Sequence, residues 1–336
     1  MDNSNKIVPP HLNAEIYRTD TTGTTTQSYL EYINIHSDGS VLVGSSELTG
    51  RYWNGGASVY KSIAEAQKVP LDEKPGISLA SGTADGCFIG SSTKVFLCED
   101  SGAVSVWANN SEQQSAWNLW KEEVSVSEHD NAALSVDCLD PEHQYVTAGA
   151  DGVVKVWDIN DLICLRNYRT AHSLIIYAVA VRPKSKTSFA TGSMDQYVTL
   201  WDENTEASVL DLLKNDCCIR CLAWLDENRL LMGDEAGVLH LSDVRNPDDV
   251  VKVTQFPAAV HKLVVHPECD KVAVCCDNKI VSVCDFTENT ESKVIYHDRH
   301  MHNNYVRGAA WDIEDKKTLH TVGWNGEIKA HSVIWD

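Results

Sequence analysis

The chain has 336 residues, 43% of them hydrophobic, and a formal net charge of −20 at pH 7. A chain of this length can bury a large core, and its acidic balance disfavours direct nucleic-acid binding, which needs clustered Lys and Arg. No apolar run reaches the roughly 18 residues of a membrane span, and the N-terminus is polar, which predicts neither membrane insertion nor secretion. The eleven cysteines are therefore expected to be reduced core residues of an intracellular protein.

The first 28 residues are predicted to form a flexible N-terminal arm. They include Pro9-Pro10 and a Thr-rich run from Thr19 to Thr26, and this composition has too few apolar residues to order itself. The next segment, residues 29–35, alternates polar and apolar side chains as a strand does. Residues 29–336 are predicted to be a single domain, because a repeat runs through them.

The repeat consists of a turn residue, alternating β-branched residues and an aromatic position that Asp often follows. Its clearest copy is residues 151–158. Seven copies are found, and their aromatic positions are Tyr60, Trp107, Trp157, Trp201, Ser242, Cys284 and His331. The spacing is about 45 residues, the period of a WD-repeat blade.

Each period also contains several short alternating stretches, such as residues 177–181, separated by Gly, Asp, Asn and Pro. Four short strands per period form one twisted sheet whose two faces need neighbouring sheets to cover them. The sequence therefore predicts an all-β, seven-bladed WD-repeat β-propeller. Since bare sheet edges promote aggregation, the N-terminal strand at residues 29–35 is expected to close the ring.

Polar residues recur at matched positions of the repeat, and in WD-repeat proteins such residues form a buried hydrogen-bond chain. The fullest predicted set is His172, Ser193, Asp195 and Trp201. A partial copy contains His129, Asp151 and Trp157, with Gly149 at the hydroxyl position. The blades that end at Ser242 and Cys284 lack the Trp and are expected to be less stable.

No catalytic or cofactor-binding motif is found: the chain has no GxSxG, GxxxxGK[ST], HExxH or strand-linked GxGxxG pattern. Two segments invite a metal hypothesis, the His-rich residues 297–302 and the CxxC pair Cys218 and Cys221. Zinc normally needs three or four convergent ligands, so the favoured interpretation is a structural His in the first segment and core packing in the second. The sequence predicts a non-enzyme with no metal or cofactor, and a metal-dependent enzyme remains the less favoured alternative.

Aromatic residues outside the repeat positions are candidate partner contacts. Trp53 follows Arg51 and Tyr52 in a glycine-bounded loop of the first blade, and exposed Trp and Arg together are typical of binding hot spots. The competing interpretation folds Trp53 back onto its own blade. Trp117 and Trp120 are equally consistent with partner contact and with packing, whereas Trp224 and Trp311 are predicted to be core residues.

Five stretches resemble one particular family, the WD-repeat subunit of the methylosome, known as the methylosome protein 50 family. They are residues 44–53, 100–104, 233–237, 305–307 and 321–324, which span the first blade to the last. The resemblance implies a non-catalytic scaffold that binds a type II (symmetric) protein arginine methyltransferase, of the protein arginine methyltransferase 5 type, with four copies of each subunit. It also implies that Arg51, Tyr52 and Trp53 are the partner-binding residues.

The same resemblance implies Arg-rich substrates, namely histone tails and the tails of spliceosomal Sm proteins, and their positive charge agrees with the acidic chain. It places the protein in the cytoplasm and nucleus, and at the germ plasm if the source is an invertebrate germline. The alternative function is a WD-repeat substrate receptor of a cullin-type ubiquitin ligase. Such receptors often carry Trp-Asp-x-Arg, which residues 242–245 approach with Ser242 in place of the Trp.

Overall fold

The computed structural model describes residues 27–48, 53–68, 76–109, 120–287 and 292–335. These residues form seven antiparallel sheets, each built from strands that follow one another in the chain. Six sheets have four strands and the last has three in the described part of the chain. The predicted seven-bladed β-propeller is confirmed, and the predicted arm lies almost wholly outside the described residues.

The strands of the seven blades have the following bounds. Blade 1 contains β1 (Gln27–Ile35), β2 (Val41–Leu48), β3 (Trp53–Tyr60) and β4 (Gly76–Leu79). Blade 2 contains β5 (Thr83–Ile89), β6 (Ser91–Glu99), β7 (Ala103–Asn109) and β8 (Trp120–Ser127). Blade 3 contains β9 (Ala133–Asp140), β10 (Gln144–Gly149), β11 (Val154–Asp158) and β12 (Ile163–Tyr168). Blade 4 contains β13 (Ile176–Val181), β14 (Ser188–Ser193), β15 (Tyr197–Asp202) and β16 (Leu210–Lys214).

The remaining three blades follow the same plan. Blade 5 contains β17 (Ile219–Trp224), β18 (Arg229–Asp234), β19 (Val238–Asp243) and β20 (Asn246–Gln255). Blade 6 contains β21 (Val260–Val265), β22 (Lys271–Cys276), β23 (Val281–Asp285) and β24 (Lys293–Asp298). Blade 7 contains β25 (Val306–Trp311), β26 (Thr318–Gly323) and β27 (Ile328–Ser332). Each of the seven predicted aromatic positions lies in the third strand of its blade.

One short helix, α1 (Ile63–Ala66), follows blade 1's third strand. The Ser62 hydroxyl accepts a hydrogen bond from the Glu65 N–H and so caps its first turn. None of the helices in the described ranges has the length and apolarity to cross a membrane.

The core is divided into interfaces between neighbouring blades. The described residues form seven hydrophobic clusters, and each joins two adjacent blades. The predicted core residues Trp224 and Trp311 are 7% and 6% exposed. Their indole N–H groups donate to Ala180 and Val264 carbonyls of the preceding blade, so they link blades by hydrogen bonding as well as packing.

The ring is closed where the N-terminal strand β1 packs against β25 and β26 of the last blade. Leu30 and Ile33 share a hydrophobic cluster with Ala310 and Val322 across this junction. A side chain at Gly308 would bring its Cβ within 2.8 Å of the Tyr32 Cα, so glycine permits the close approach. Within the described residues, β1 is hydrogen-bonded only to β2, and closure is therefore a contact between sheet faces.

The innermost strand of every blade carries a β-bulge at the same place. In each strand the ladder to the second strand skips one residue near the start. The skipped residues, in blade order, are Glu31, Ala84, Leu134, Tyr177, Arg220, His261 and Arg307. A bulge redirects the extra side chain out of the regular alternation, so these seven form a set of their own, named here the bulge ring.

We predict that a chain lacking residues 1–40 does not fold, whereas one lacking residues 1–20 does. Only the longer truncation removes β1, and with it Leu30 and Ile33 from the closing interface. Solubility and thermal unfolding of both truncations test this. Equal melting of the two would show that closure depends on other residues.

Candidate functional site

The seven inner strands surround a cavity of about 590 Å³ along the propeller axis. All seven bulge-ring residues line it. Their chemistry is uneven around the ring: blade 1 supplies the acid Glu31, blades 2 to 4 supply apolar and aromatic side chains, and blades 5 to 7 supply Arg220, His261 and Arg307. The channel mouth therefore has a basic arc facing an apolar arc.

An aromatic cluster joins the first and last blades at this mouth. The Trp324 indole N–H donates a 3.0 Å hydrogen bond to the Glu31 carboxylate. The Arg307 guanidinium lies 4.2 Å from the centroid of the Trp324 ring and 5.3 Å from that of Tyr305. The Tyr29 ring meets the edge of Trp324 at 5.6 Å. Two of the partners of Trp324, Tyr29 and Glu31, come from β1 of blade 1, so the cluster links the first and last blades at the closing junction.

Burial raises the pKa of the Glu31 carboxyl from its usual 4.5 to about 7. The Trp324 hydrogen bond and the nearby Arg307 charge act in the opposite direction but do not cancel the burial. Sequence reasoning selected the stretches containing Trp324 and Arg307 but missed Glu31. In the sequence, Glu31 is indistinguishable from an outward-facing residue of an alternating strand.

Of the three predicted partner-binding residues of blade 1, the structure describes the backbone of Trp53. Trp53 is the first residue of β3, and its backbone pairs with Leu48 of β2. Arg51 and Tyr52 lie outside the described residues. Ser46 of β2 and Asn54 of β3 line the channel mouth. The partner-binding role of the three residues stays a prediction.

The structural hydrogen-bond chain of blade 4 uses a different hydroxyl from the one predicted. The Trp201 indole N–H donates to Thr191 Oγ1 at 2.8 Å, and Thr191 Oγ1 lies 2.7 Å from His172 Nε2. His172 Nδ1 lies 2.9 Å from the acceptor-only carboxylate of Asp195, so Nδ1 carries the proton and Nε2 accepts from Thr191. Ser193 was therefore the wrong choice. Its hydroxyl instead accepts from the Asp195 N–H and donates to the Ile175 carbonyl.

Blade 3 contains a complete copy of this chain, not the partial one predicted. Thr147 Oγ1 accepts from the Trp157 indole at 2.8 Å and lies 2.9 Å from His129 Nε2, while His129 Nδ1 is 2.9 Å from Asp151. Gly149 occupies the position equivalent to Ser193 and takes no side-chain part. In both blades the hydroxyl that links His to Trp lies two residues earlier in the strand than expected.

Blade 7 builds the chain with an imidazole in place of the indole. His302 bonds Asn325 through Nδ1 at 3.1 Å and Thr321 through Nε2 at 2.7 Å, and Thr321 lies 2.8 Å from His331. His302 is thus the structural histidine of the His-rich segment. His297 lies on β24 of blade 6, 3.0 Å from the Ser282 hydroxyl of the adjacent strand β23. Among the described residues, no three His, Cys, Asp or Glu side chains converge as metal ligands would.

The remaining candidates from the sequence are the two cysteines of the CxxC pair, Trp117 and Trp120. Cys221 is buried and its thiol bonds the Val260 carbonyl of the next blade, whereas Cys218 is partly exposed. Trp120 begins β8 and packs in part against the cluster between blades 1 and 2. Trp117 lies outside the described residues.

Comparisons with known proteins agree with this architecture. The family model of the WD domain, G-beta repeat, matches residues 120–158 and 163–202, the two four-strand stretches β8–β11 and β12–β15. The chain is 26% identical to Methylosome protein WDR77 of Xenopus laevis over 307 residues, which covers 89% of this chain and 88% of that protein. Shorter similarities include WD repeat-containing protein 55 homolog of Drosophila yakuba, 25% identical over 52% of this chain and 34% of that protein.

A further short similarity is to Protein transport protein SEC31 of Chaetomium globosum, 36% identical over 27% of this chain but 7% of that protein. Fold and comparisons together define a non-catalytic WD-repeat β-propeller protein. The similarity to methylosome protein WDR77 extends over nearly the whole length of both chains and supports assignment to its family.

We predict that Thr191→Val lowers the free energy of unfolding by roughly 1 to 3 kcal/mol, because it leaves the buried Trp201 N–H and His172 Nε2 without a partner. Thr170→Val makes the same chemical change at an exposed position and should be nearly neutral. Thermal or denaturant unfolding of both variants tests this. Equal stability of the two would remove the Thr191 hydroxyl from the network.

We predict that Glu31→Gln gains stability relative to the wild type as the pH rises from 4.5 to 7. In that window unfolded Glu31 is already ionised, while burial opposes ionisation in the folded state, so the wild type loses stability. Between pH 4.5 and 7, the free energy of unfolding of the wild type is expected to fall by up to about 3 kcal/mol relative to that of Glu31→Gln. Unfolding across this pH range tests it, with the exposed Glu122→Gln as the charge control. A stability difference that stays constant with pH would contradict the raised pKa.

Proposed function

We propose that this protein is the WD-repeat subunit of a methylosome, which binds a type II protein arginine methyltransferase and presents basic substrates to it. The observation that carries the proposal is the similarity to a methylosome protein across 89% of this chain and 88% of that protein. Similarity confined to single WD repeats would indicate only the fold, because unrelated propellers share it. Coverage of both chains supports a shared role as well.

The charge of the chain supports basic substrates. It has 48 acidic and 28 basic residues, and the described acidic side chains are spread over the outer strands and turns of several blades. An excess of this size attracts Arg-rich tails over distances of about 10 Å at 0.1 M salt. Histone tails and Sm protein tails, the substrates that the family resemblance implies, carry the complementary charge.

The first blade is the proposed docking surface for the methyltransferase. Strands β2 and β3 form a regular hairpin from Val41↔Tyr60 to Leu48↔Trp53, and Ser46 and Asn54 of this hairpin line the channel. A paired hairpin loses little conformational entropy when a partner binds it, which favours affinity. Arg51 and Trp53 are of the residue types that contribute most to binding at protein interfaces.

The cullin-ligase alternative rests on residues 242–245, and their structure does not favour it. Ser242 is buried where the signature requires Trp. The Arg245 guanidinium bonds the Asp243 carboxylate, with Nε 2.9 Å from Oδ1. This segment is therefore the end of β19 and the turn that follows it, with its Arg bonded to its own Asp, and the methylosome proposal is retained.

We predict that Trp53→Ala weakens methyltransferase binding by about thirtyfold, or 2 kcal/mol, and that Arg51→Ala has a smaller effect. A Trp seated in a partner pocket loses a large buried area on truncation, whereas an Arg at a wet rim loses less. Affinity and melting temperature are measured on the same proteins. The matched control is Arg166→Ala, an exposed Arg on β12 of blade 3 that should bind normally.

The pair of measurements separates the interpretations of Trp53. A lower melting temperature with unchanged affinity per folded molecule would assign Trp53 to packing on its own blade. Wild-type values for both would move the docking surface to another blade, with Trp120 the next residue to replace. Capture of a cullin-ligase adaptor by the wild-type protein, without a methyltransferase, would overturn the proposed function itself.

A further inference from the structure

Three consecutive blades place a basic side chain at the same point of the channel. Arg220, His261 and Arg307 are the bulge-ring residues of blades 5, 6 and 7, and Lys262 follows His261 along β21. All four line the cavity. A repeated bulge with a basic residue in three neighbouring strands is a local arrangement that the general WD fold does not require, since blades 2 and 3 carry Ala84 and Leu134 there.

Three of the acidic side chains near this channel accept hydrogen bonds from neighbouring strands, while Asp100 and Glu31 line it on the side of the first two blades. Asp85 accepts the Val136 N–H at 3.2 Å, and Asp137 accepts the Val181 N–H at 2.7 Å. Asp277 accepts from Arg307 at 2.8 Å. Asp85 and Asp137 tie inner strands to one another, and Asp277 ties the end of β22 to Arg307 of β25, so these carboxylates serve the fold.

The basic groups are not matched in the same way. Within the described ranges, neither Arg220 nor Lys262 has an ion pair or a hydrogen bond through its side chain, whereas Arg307 pairs with Asp277; Arg220 lies 4.3 Å over the Tyr177 ring. The Arg307 Nε is buried and has no hydrogen-bond partner among these residues. The Arg307 Nε and the side chains of Arg220 and Lys262 thus lie in one partly enclosed space without a hydrogen-bond acceptor among the described residues, and for the buried Nε this is costly unless a ligand supplies one.

The state of His261 fits the same conclusion. Burial and the three neighbouring cations, Arg307 first, hold the pKa of this imidazole well below its usual 6.5. Its Nδ1 lies 3.2 Å from Arg307 Nη1 and accepts from it, so the proton of the neutral ring is on Nε2. His261 therefore adds a neutral N–H donor to the cluster and no further positive charge.

We propose that Arg220, His261, Lys262 and Arg307 form an oxyanion-binding site in the channel mouth, which takes the carboxylate or phosphate group of a small organic anion. Guanidinium groups bind both oxyanions in bidentate fashion. The opposite arc of Ala84, Leu134 and Tyr177 gives the rest of such a ligand an apolar wall. The site does not depend on the proposed methylosome role, since it is argued from the channel alone.

The test is calorimetric titration of the full chain with inorganic phosphate and, separately, with succinate, in chloride buffer of constant ionic strength. Saturable binding of either anion supports the site, and the stronger one identifies the ligand group. Arg220→Gln should weaken binding at least about tenfold. The matched control Arg299→Gln removes the same charge from an exposed position outside the channel and should bind as the wild type does.

Lys262→Gln provides a second variant in case Arg220→Gln fails to fold, and it should also weaken binding. Absence of saturable binding for both anions in the folded wild-type protein would overturn the proposal. Equal weakening by Arg220→Gln and Arg299→Gln would overturn it too, because binding would then depend on net charge and not on the channel.

Discussion

The structure depends on one constraint: each blade is a sheet with two apolar faces, and both must be covered. Seven hydrophobic clusters, each shared by two adjacent blades, meet this requirement, and the last of them lies between blades 7 and 1. Leu30 and Ile33 of the first strand supply one side of that cluster. A closed ring is thus the arrangement in which no sheet face is left uncovered. Its stability depends on contacts between residues far apart in the chain, such as Glu31 and Trp324, which are 293 positions apart.

Ring closure also creates the features available for function. Inner strands that converge on one axis leave a channel, and their bulges aim one side chain per blade into it. Buried hydrogen-bond networks such as Trp201–Thr191–His172–Asp195 hold turns to strands, and their polar groups are all bonded to one another and offer no reactive group. The surfaces left for recognition are the channel mouth and the turns around it, which suits a protein that binds others and does not catalyse.

The sequence predicted the fold well because the repeat is a property of local pattern: turn, alternation and anchor recur in each blade even where Cys284 or His331 replaces Trp. It predicted side-chain partners less well. Thr191 and Ser193 lie two residues apart on β14 and face the same side, so spacing alone does not distinguish them. The bulge ring was not predictable, because a bulge is a difference in register between two strands and leaves no residue signature at Glu31 or Tyr177.

The central claim is that the chain promotes arginine methylation without catalysing it. Its most direct test is the initial rate of symmetric dimethylation of an Arg-rich histone or Sm peptide by the purified methyltransferase, with and without this protein, at rising salt. The account predicts no activity for the chain alone and stimulation of the enzyme. The stimulation should fall as the screening length shortens from about 10 Å at 0.1 M to about 3 Å at 1 M while the complex stays intact. A rate unchanged by adding the protein under any of these conditions would contradict the account.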